Sequence, residues 1–207
     1  MTAYVASGES HQFAPVTFQE SQAVAPNEPN QQRYDWTSIV LHWLVAALVA
    51  ALWIGAETLD WFPAGSARSD ARSVHILLGT VLGMVGGVRF VWRLSFGEPP
   101  PPADAGAMGL ASRITHVGLY VLLAAMVLEG MLLLWATGDS AFNHFDMPAL
   151  DPAGLAQAAR LQRVHGIIGW IILATVGLHI AAVLFHRYVL DDDVLERMLP
   201  RQSASRR

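Results

Sequence analysis

The chain contains no cysteine and no lysine, and only 14% of its 207 residues are charged. Without thiols there is no disulfide framework and no thiolate-held metal cluster. Without lysine, all 13 basic residues are arginines, so any charge asymmetry along the chain is read from arginine alone. Against this scarcity stand 53% apolar residues, a balance outside that of ordinary soluble domains.

The apolar residues gather into four runs, about 37–56, 74–94, 112–136 and 164–188. A hydrocarbon core requires ~20 residues of helix to span it. Lipid-exposed strands would leave backbone groups without partners, so the runs predict helices. The expected fold is an all-α integral membrane four-helix bundle filling residues 36–190, and a nucleic-acid-binding role is excluded. If both termini share one side, that side holds nine arginines (Arg33, Arg89, Arg93, Arg113, Arg187, Arg197, Arg201, Arg206 and Arg207). The other side holds four, Arg68, Arg72, Arg160 and Arg163. The excess places both termini in the cytoplasm. Trp36, Trp43, Trp61, Trp92 and Trp135 lie near segment ends, as interfacial anchors do.

Residues 1–35 are rich in Gln, Ser, Pro, Asn and Glu, without apolar periodicity, and read as a disordered cytoplasmic tail. The first long apolar run begins only after Trp36, so no cleavable signal peptide is expected. The Pro-rich stretch from Glu98 to Pro102 reads as a spacer between the second and third helices. Residues 138–162 form the longest outer connection. Residues 191–207 form a C-terminal cytoplasmic tail in which Asp191 to Leu199 is expected to lie as a short amphipathic helix.

Histidine inside such segments is costly and marks a functional site by default. His165 and His179 are 14 residues apart in the fourth run. Two heptads return a side chain to the same seam, ~21 Å further along the axis. His42 opens the first run and His75 the second. In an up-and-down bundle, depth pairs His42 with His179 toward the inner face and His75 with His165 toward the outer face. Each pair comes from two helices, as the two axial ligands of a porphyrin iron require. Gly79 and Gly83 follow His75, and Gly169 follows His165, at helical spacing that makes room for a planar macrocycle. Without cysteine a Cys-linked haem is excluded, which leaves non-covalent haem b as the redox group that histidine alone ligates. Zinc accepts imidazole too but gathers three or four ligands at one depth. The plain alternative is four unrelated polar contacts between helices.

The ordered set of motifs resembles the prokaryotic cytochrome b561 family, and within it the superoxide oxidase branch, over roughly Tyr34 to Arg201. The resemblance rests on Leu41-His42-Trp43-Leu44, and on His75 with Gly79 followed by the run from Val88 to Leu94. It continues through His116 with Tyr120, His165, Gly177-Leu178-His179, Ala181-Ala182 and His186, and ends in the run from Leu195 to Arg201. It implies two bis-histidine haems b per chain, on His42/His179 and His75/His165, in the bacterial inner membrane. Electrons would pass between an outer-face donor, superoxide in that branch, and ubiquinone. The alternative is an electron-relay anchor subunit of a larger hydrogenase or dehydrogenase complex, with a redox partner protein. One departure is Glu129, where similar relatives tend to carry an apolar residue.

Further candidates surround these four. His116, His186, Arg89 and Arg93 sit toward the inner face, as contacts of a haem propionate or a quinone, or as ordinary interfacial residues. Glu129 is expected ~20 Å from the inner start of the third helix, protonated, paired or wetted. Its candidate roles are proton handling or tuning of the outer haem. Arg68, Arg72, Arg160 and Arg163 precede the outer histidines near helix N-termini, where the macrodipole disfavours cations. They are expected to meet propionates, steer a small anionic donor, or balance surface aspartates. His11 and His144 receive no role.

Overall fold

The computed structural model describes residues 33–97, 100–101, 106–138, 140–141, 145–146 and 155–200. Four long helices carry it, α1 (Trp36–Thr58), α2 (Ser66–Ser95), α3 (Gly106–Thr137) and α4 (Leu155–Phe185). All four are long and apolar enough to cross a membrane. The molecule is an integral membrane four-helix bundle, as the apolar runs require.

The helices outrun those apolar runs, chiefly at their N-terminal ends. α2 begins at Ser66 rather than near Val74, α3 at Gly106 rather than Ser112, and α4 at Leu155 rather than Val164. The added turns hold Ser66, Arg68, Asp70, Gln157, Arg160 and Arg163. Apolar composition marks only the stretch lipid covers, whereas backbone hydrogen bonding propagates a helix into the wet interface until something breaks it.

The α1–α2 connection turns through Leu59–Trp61, a short 3-10 turn, and Gly65 at φ 116°, a conformation that favours glycine. Between α3 and α4, Ser140–Ala141 (β1) pairs antiparallel with Phe145–Asp146 (β2). α1 packs on α2, α2 on α3 and α3 on α4. Val45, Leu48 and Leu82 form the buried centre, flanked by Leu52, Leu78, Val85 and Leu123. Two of the glycines expected to make room for a macrocycle serve helix packing instead. A Cβ on Gly83 would meet Val127 Cγ1 at 2.9 Å, and one on Gly169 would meet Met126 Cε at 3.3 Å. Both let α3 approach closely. Gly79 has open space beside it.

Residues 1–32 and 201–207 lie outside the described residues, and so do most of the Pro-rich spacer and, within the outer connection, residues 139, 142–144 and 147–154. The last two residues of the expected tail belong to the fold. Tyr34 donates its N–H to the Arg197 carbonyl (3.2 Å). Asp35 is the N-cap of α1, accepting from the Ser38 N–H (2.9 Å), the Ser38 hydroxyl (2.6 Å) and the Trp92 indole (3.1 Å). Burial raises the Asp35 pKa, but these hydrogen bonds outweigh it and hold the carboxyl below its ordinary 3.8. Their stabilisation is therefore full above that value and fades as pH falls through the lower, folded-state pKa. Asp35→Ala is expected to cost about 1 kcal/mol, typical of a lost cap. Unfolding in detergent should show that cost at pH 7 and lose most of it in strong acid.

The C-terminal residues also depart from expectation. α4 ends in a π-turn, His186–Leu190, and the chain reverses at Asp191 in the left-handed region (φ 51°). Where an amphipathic helix was expected there is one 3-10 turn, Glu196–Met198. It is pinned across the bundle. The Trp43 indole donates to the Met198 carbonyl (2.8 Å), Arg197 to the Pro101 carbonyl (2.8 Å), and Arg187 pairs with Glu196 (3.2 Å). This end, which holds Tyr34 and the C-terminal brace, is the near end below; the loops joining α1 to α2 and α3 to α4 lie at the far end.

Candidate functional site

The four histidines meet in the two pairs that depth matching requires. At the near end the rings of His42 (α1) and His179 (α4) have centroids 6.4 Å apart, crossed at 64°. Toward the far end His75 (α2) and His165 (α4) stand 6.2 Å apart, crossed at 66°. A metal–imidazole bond of about 2.0–2.1 Å, with about 1.1 Å from nitrogen to ring centre, places two rings on opposite sides of one iron about 6.3 Å apart. Both separations fit a bis-imidazole site.

The surroundings fit a planar group as well. Among the described residues, α4 meets α1 and α2 through ring pairs, His42–His179, His75–His165 and Trp53–Trp170, rather than through close backbone packing. At the near end Arg93 lies over the Tyr34 ring (5.1 Å), with its Nη1 buried and without a partner, a suitable seat for a carboxylate.

His165 is held most tightly of the four. Its Nδ1 lies 2.6 Å from Glu129 Oε2, which α3 delivers from the neighbouring helix. Glu129 is 7% exposed and its Oε1 has no partner. Gly130 clears the space beside it, since a Cβ there would sit 3.3 Å from His165 Cε1. The carboxylate partner of His165 is not identifiable from sequence, because the pairing depends on the rotation of α3 against α4.

The remaining candidates are spoken for in different ways. His116 sets its ring edge against His179 (5.3 Å), and its Nδ1 donates to the Ser112 carbonyl (2.8 Å). The His186 Nδ1 meets Asp192 Oδ2 at 2.6 Å across the π-turn. Burial raises the Asp192 pKa, but hydrogen bonds from His186 and the Val194 N–H, with the nearby positive charge, leave it below the ordinary value. Arg89 donates to the Ser38 carbonyl (3.0 Å) and lies 6.0 Å from the Tyr120 ring centre.

At the far end Arg68 donates to the Phe62 and Asp60 carbonyls (2.9 and 3.3 Å) and pairs with Asp60 (3.4 Å). The α1–α2 turn thus compensates its charge. Arg72 is exposed on the next turn of α2. Arg160 and Arg163 are exposed on α4. The α4 helix starts at Leu155, so neither lies in its first turn, where the expected macrodipole penalty is concentrated.

A membrane-spanning four-helix bundle with imidazoles paired inside it defines a b-type cytochrome of the membrane. Residues 33–201 match the model of prokaryotic cytochrome b561, and the chain belongs to that family. It is 32% identical over 181 residues to cytochrome b561 homolog 2 of Escherichia coli (strain K12), covering 84% of this chain and 94% of the relative. Cytochrome b561 homolog 1 of the same organism is 30% identical over 177 residues, covering 82% and 98%. A probable superoxide oxidase CybB of Yersinia pestis is 30% identical over 175 residues, covering 83% and 98%. Family membership and the four spans identify a haem b-binding, multi-pass protein of the bacterial inner membrane.

Proposed function

We propose that the chain is a di-haem b oxidoreductase, with His75 and His165 holding one haem at the far end and His42 and His179 holding the other at the near end. With the termini in the cytoplasm, the far end faces outward, takes electrons from superoxide, and the near end delivers them to ubiquinone. The observation that carries this reading is the pair of ring separations, 6.2 and 6.4 Å, repeated at two depths.

Bound haem b supplies a one-electron couple, and everything else falls to the chain's own side chains. Four imidazoles fix two stations ~21 Å apart along α4, by 14 residues of helical rise. Arg93 offers its unpartnered Nη1 to a propionate at the near end. Ligation by two histidines from different helices resists exchange for a small molecule, which favours electron transfer over binding of the donor to iron. Two superoxide anions, one quinone and two protons give two dioxygen molecules and one quinol, so charge and atoms balance without a further reductant.

The test uses the purified protein alone. A pyridine haemochrome assay should give two haems b per chain, and enzymatically generated superoxide should drive reduction of a soluble ubiquinone analogue. Two haems without quinone reduction would count against the oxidoreductase and favour a relay subunit; fewer than two haems would remove the di-haem assignment.

A further inference from the structure

Among the described residues two histidines meet a carboxylate, His165 and His186, and only His165 belongs to the four paired rings. Its ring has two nitrogens. Nδ1 is occupied by Glu129 at 2.6 Å, which leaves Nε2 as the nitrogen available to an iron. Ligation through Nε2 places the ring proton on Nδ1, so Nδ1 donates and Glu129 accepts. The carboxylate is buried in the bundle, and its other oxygen has no partner to share the charge. The hydrogen bond to His165 therefore carries the whole of its polar contact. Across the pair, His75 meets no carboxylate among the described residues.

We infer that Glu129 is a positioning residue that fixes the tautomer of His165 and strengthens it as an electron donor to iron, making the far-end haem the lower-potential member of the pair. A carboxylate drawing on Nδ1–H pushes electron density to Nε2, which favours the ferric over the ferrous state. Gly130 supports the arrangement by leaving the ring room to lie against α3. The resulting difference in potential directs electrons from the far end to the near end. The inference rests on His75 and His165 holding a haem.

The experiment is an equilibrium redox titration of the purified holoprotein, with mediators and no physiological donor, beside a haem determination. Glu129→Gln keeps the shape and removes the charge. It should raise the far-end midpoint potential by about tenfold in the reduction equilibrium, ~59 mV for one electron, and leave the other haem unmoved. Two retained haems with an unmoved far-end potential, or with both potentials moved alike, would overturn the inference while leaving the di-haem reading intact. Fewer than two haems in the wild type would overturn both.

If Glu129→Gln loses the far-end haem, the wild type decides. Its infrared difference spectrum, with nitrogen-15 histidine, should show the ring mode of a strongly hydrogen-bonded, imidazolate-like ligand as the lower-potential haem is reduced. Absence of that mode overturns the proposal.

Discussion

Replacing His75 or His165 by alanine is expected to leave the protein with one haem b in place of two, the survivor being held by His42 and His179. The two ring pairs lie at different depths on α4 and, among the described residues, share no side chain. Each station therefore stands or falls with its own imidazoles. His42→Ala and His179→Ala should do the converse. His116→Ala should keep both haems, because His42 and His179 already stand at the bis-imidazole separation, whereas the His116 ring lies only 5.3 Å from that of His179, too close for an iron between them. The two far-end variants should differ in stability. His165→Ala strands the buried Glu129, at a cost on the order of 1–3 kcal/mol beyond that of His75→Ala. Adding Glu129→Leu should restore most of it. Haemochrome content, low-spin electron paramagnetic resonance and thermal unfolding in detergent check these outcomes together. A His42→Ala protein with two intact low-spin haems would refute the pairing.

What could be seen in the sequence was whatever depends on position along one helix. The 14-residue interval between His165 and His179, with His42 and His75 near the starts of their own apolar runs, sets depth, and antiparallel helices turn depth into pairs. Anything that depends on the rotation of one helix against another was hidden. The contact of Glu129 with His165 needs the phase of α3 relative to α4, which residue spacing does not encode. Spacing alone suggests that Gly83 and Gly169 make room for a macrocycle, whereas they face Val127 and Met126 on α3, again a matter of helix rotation. The near-end brace was invisible for another cause. Trp43 to Met198 and Tyr34 to Arg197 are contacts between an indole or backbone N–H and a backbone carbonyl, and any residue supplies a carbonyl.

Charge reversal at Arg160 and Arg163 is expected to slow reduction by superoxide about tenfold at low ionic strength, while reduction by a neutral quinol stays nearly unchanged. The structure removes Arg68 from the four far-end candidates, and of the remaining three Arg160 and Arg163 share α4 with His165. Arg68 is tied to Asp60 and to two carbonyls of the α1–α2 turn, so its charge is already answered. Arg160 and Arg163 are exposed on α4 just before His165, and Arg160 borders an open groove with Gln157, Leu161 and Val164. Along the axis they stand ~7.5 and ~3 Å from the His165 position, within a Debye length of ~10 Å at 0.1 M salt. At such range a cation raises the local concentration of a small anion, and steering of this kind changes association rates by about 10-fold to 1,000-fold. Two reversals turn attraction into repulsion, so the sign of the salt effect becomes the sharpest readout. In the wild type, added salt should slow reduction by superoxide; in Arg160→Glu with Arg163→Glu it should slow it less or speed it. A neutral quinol feels no such field. Stopped-flow reduction with each donor over a salt series, at matched haem content, measures both. An unchanged superoxide rate in the double variant would mean that Arg160 and Arg163 only balance the surface and do not steer the donor.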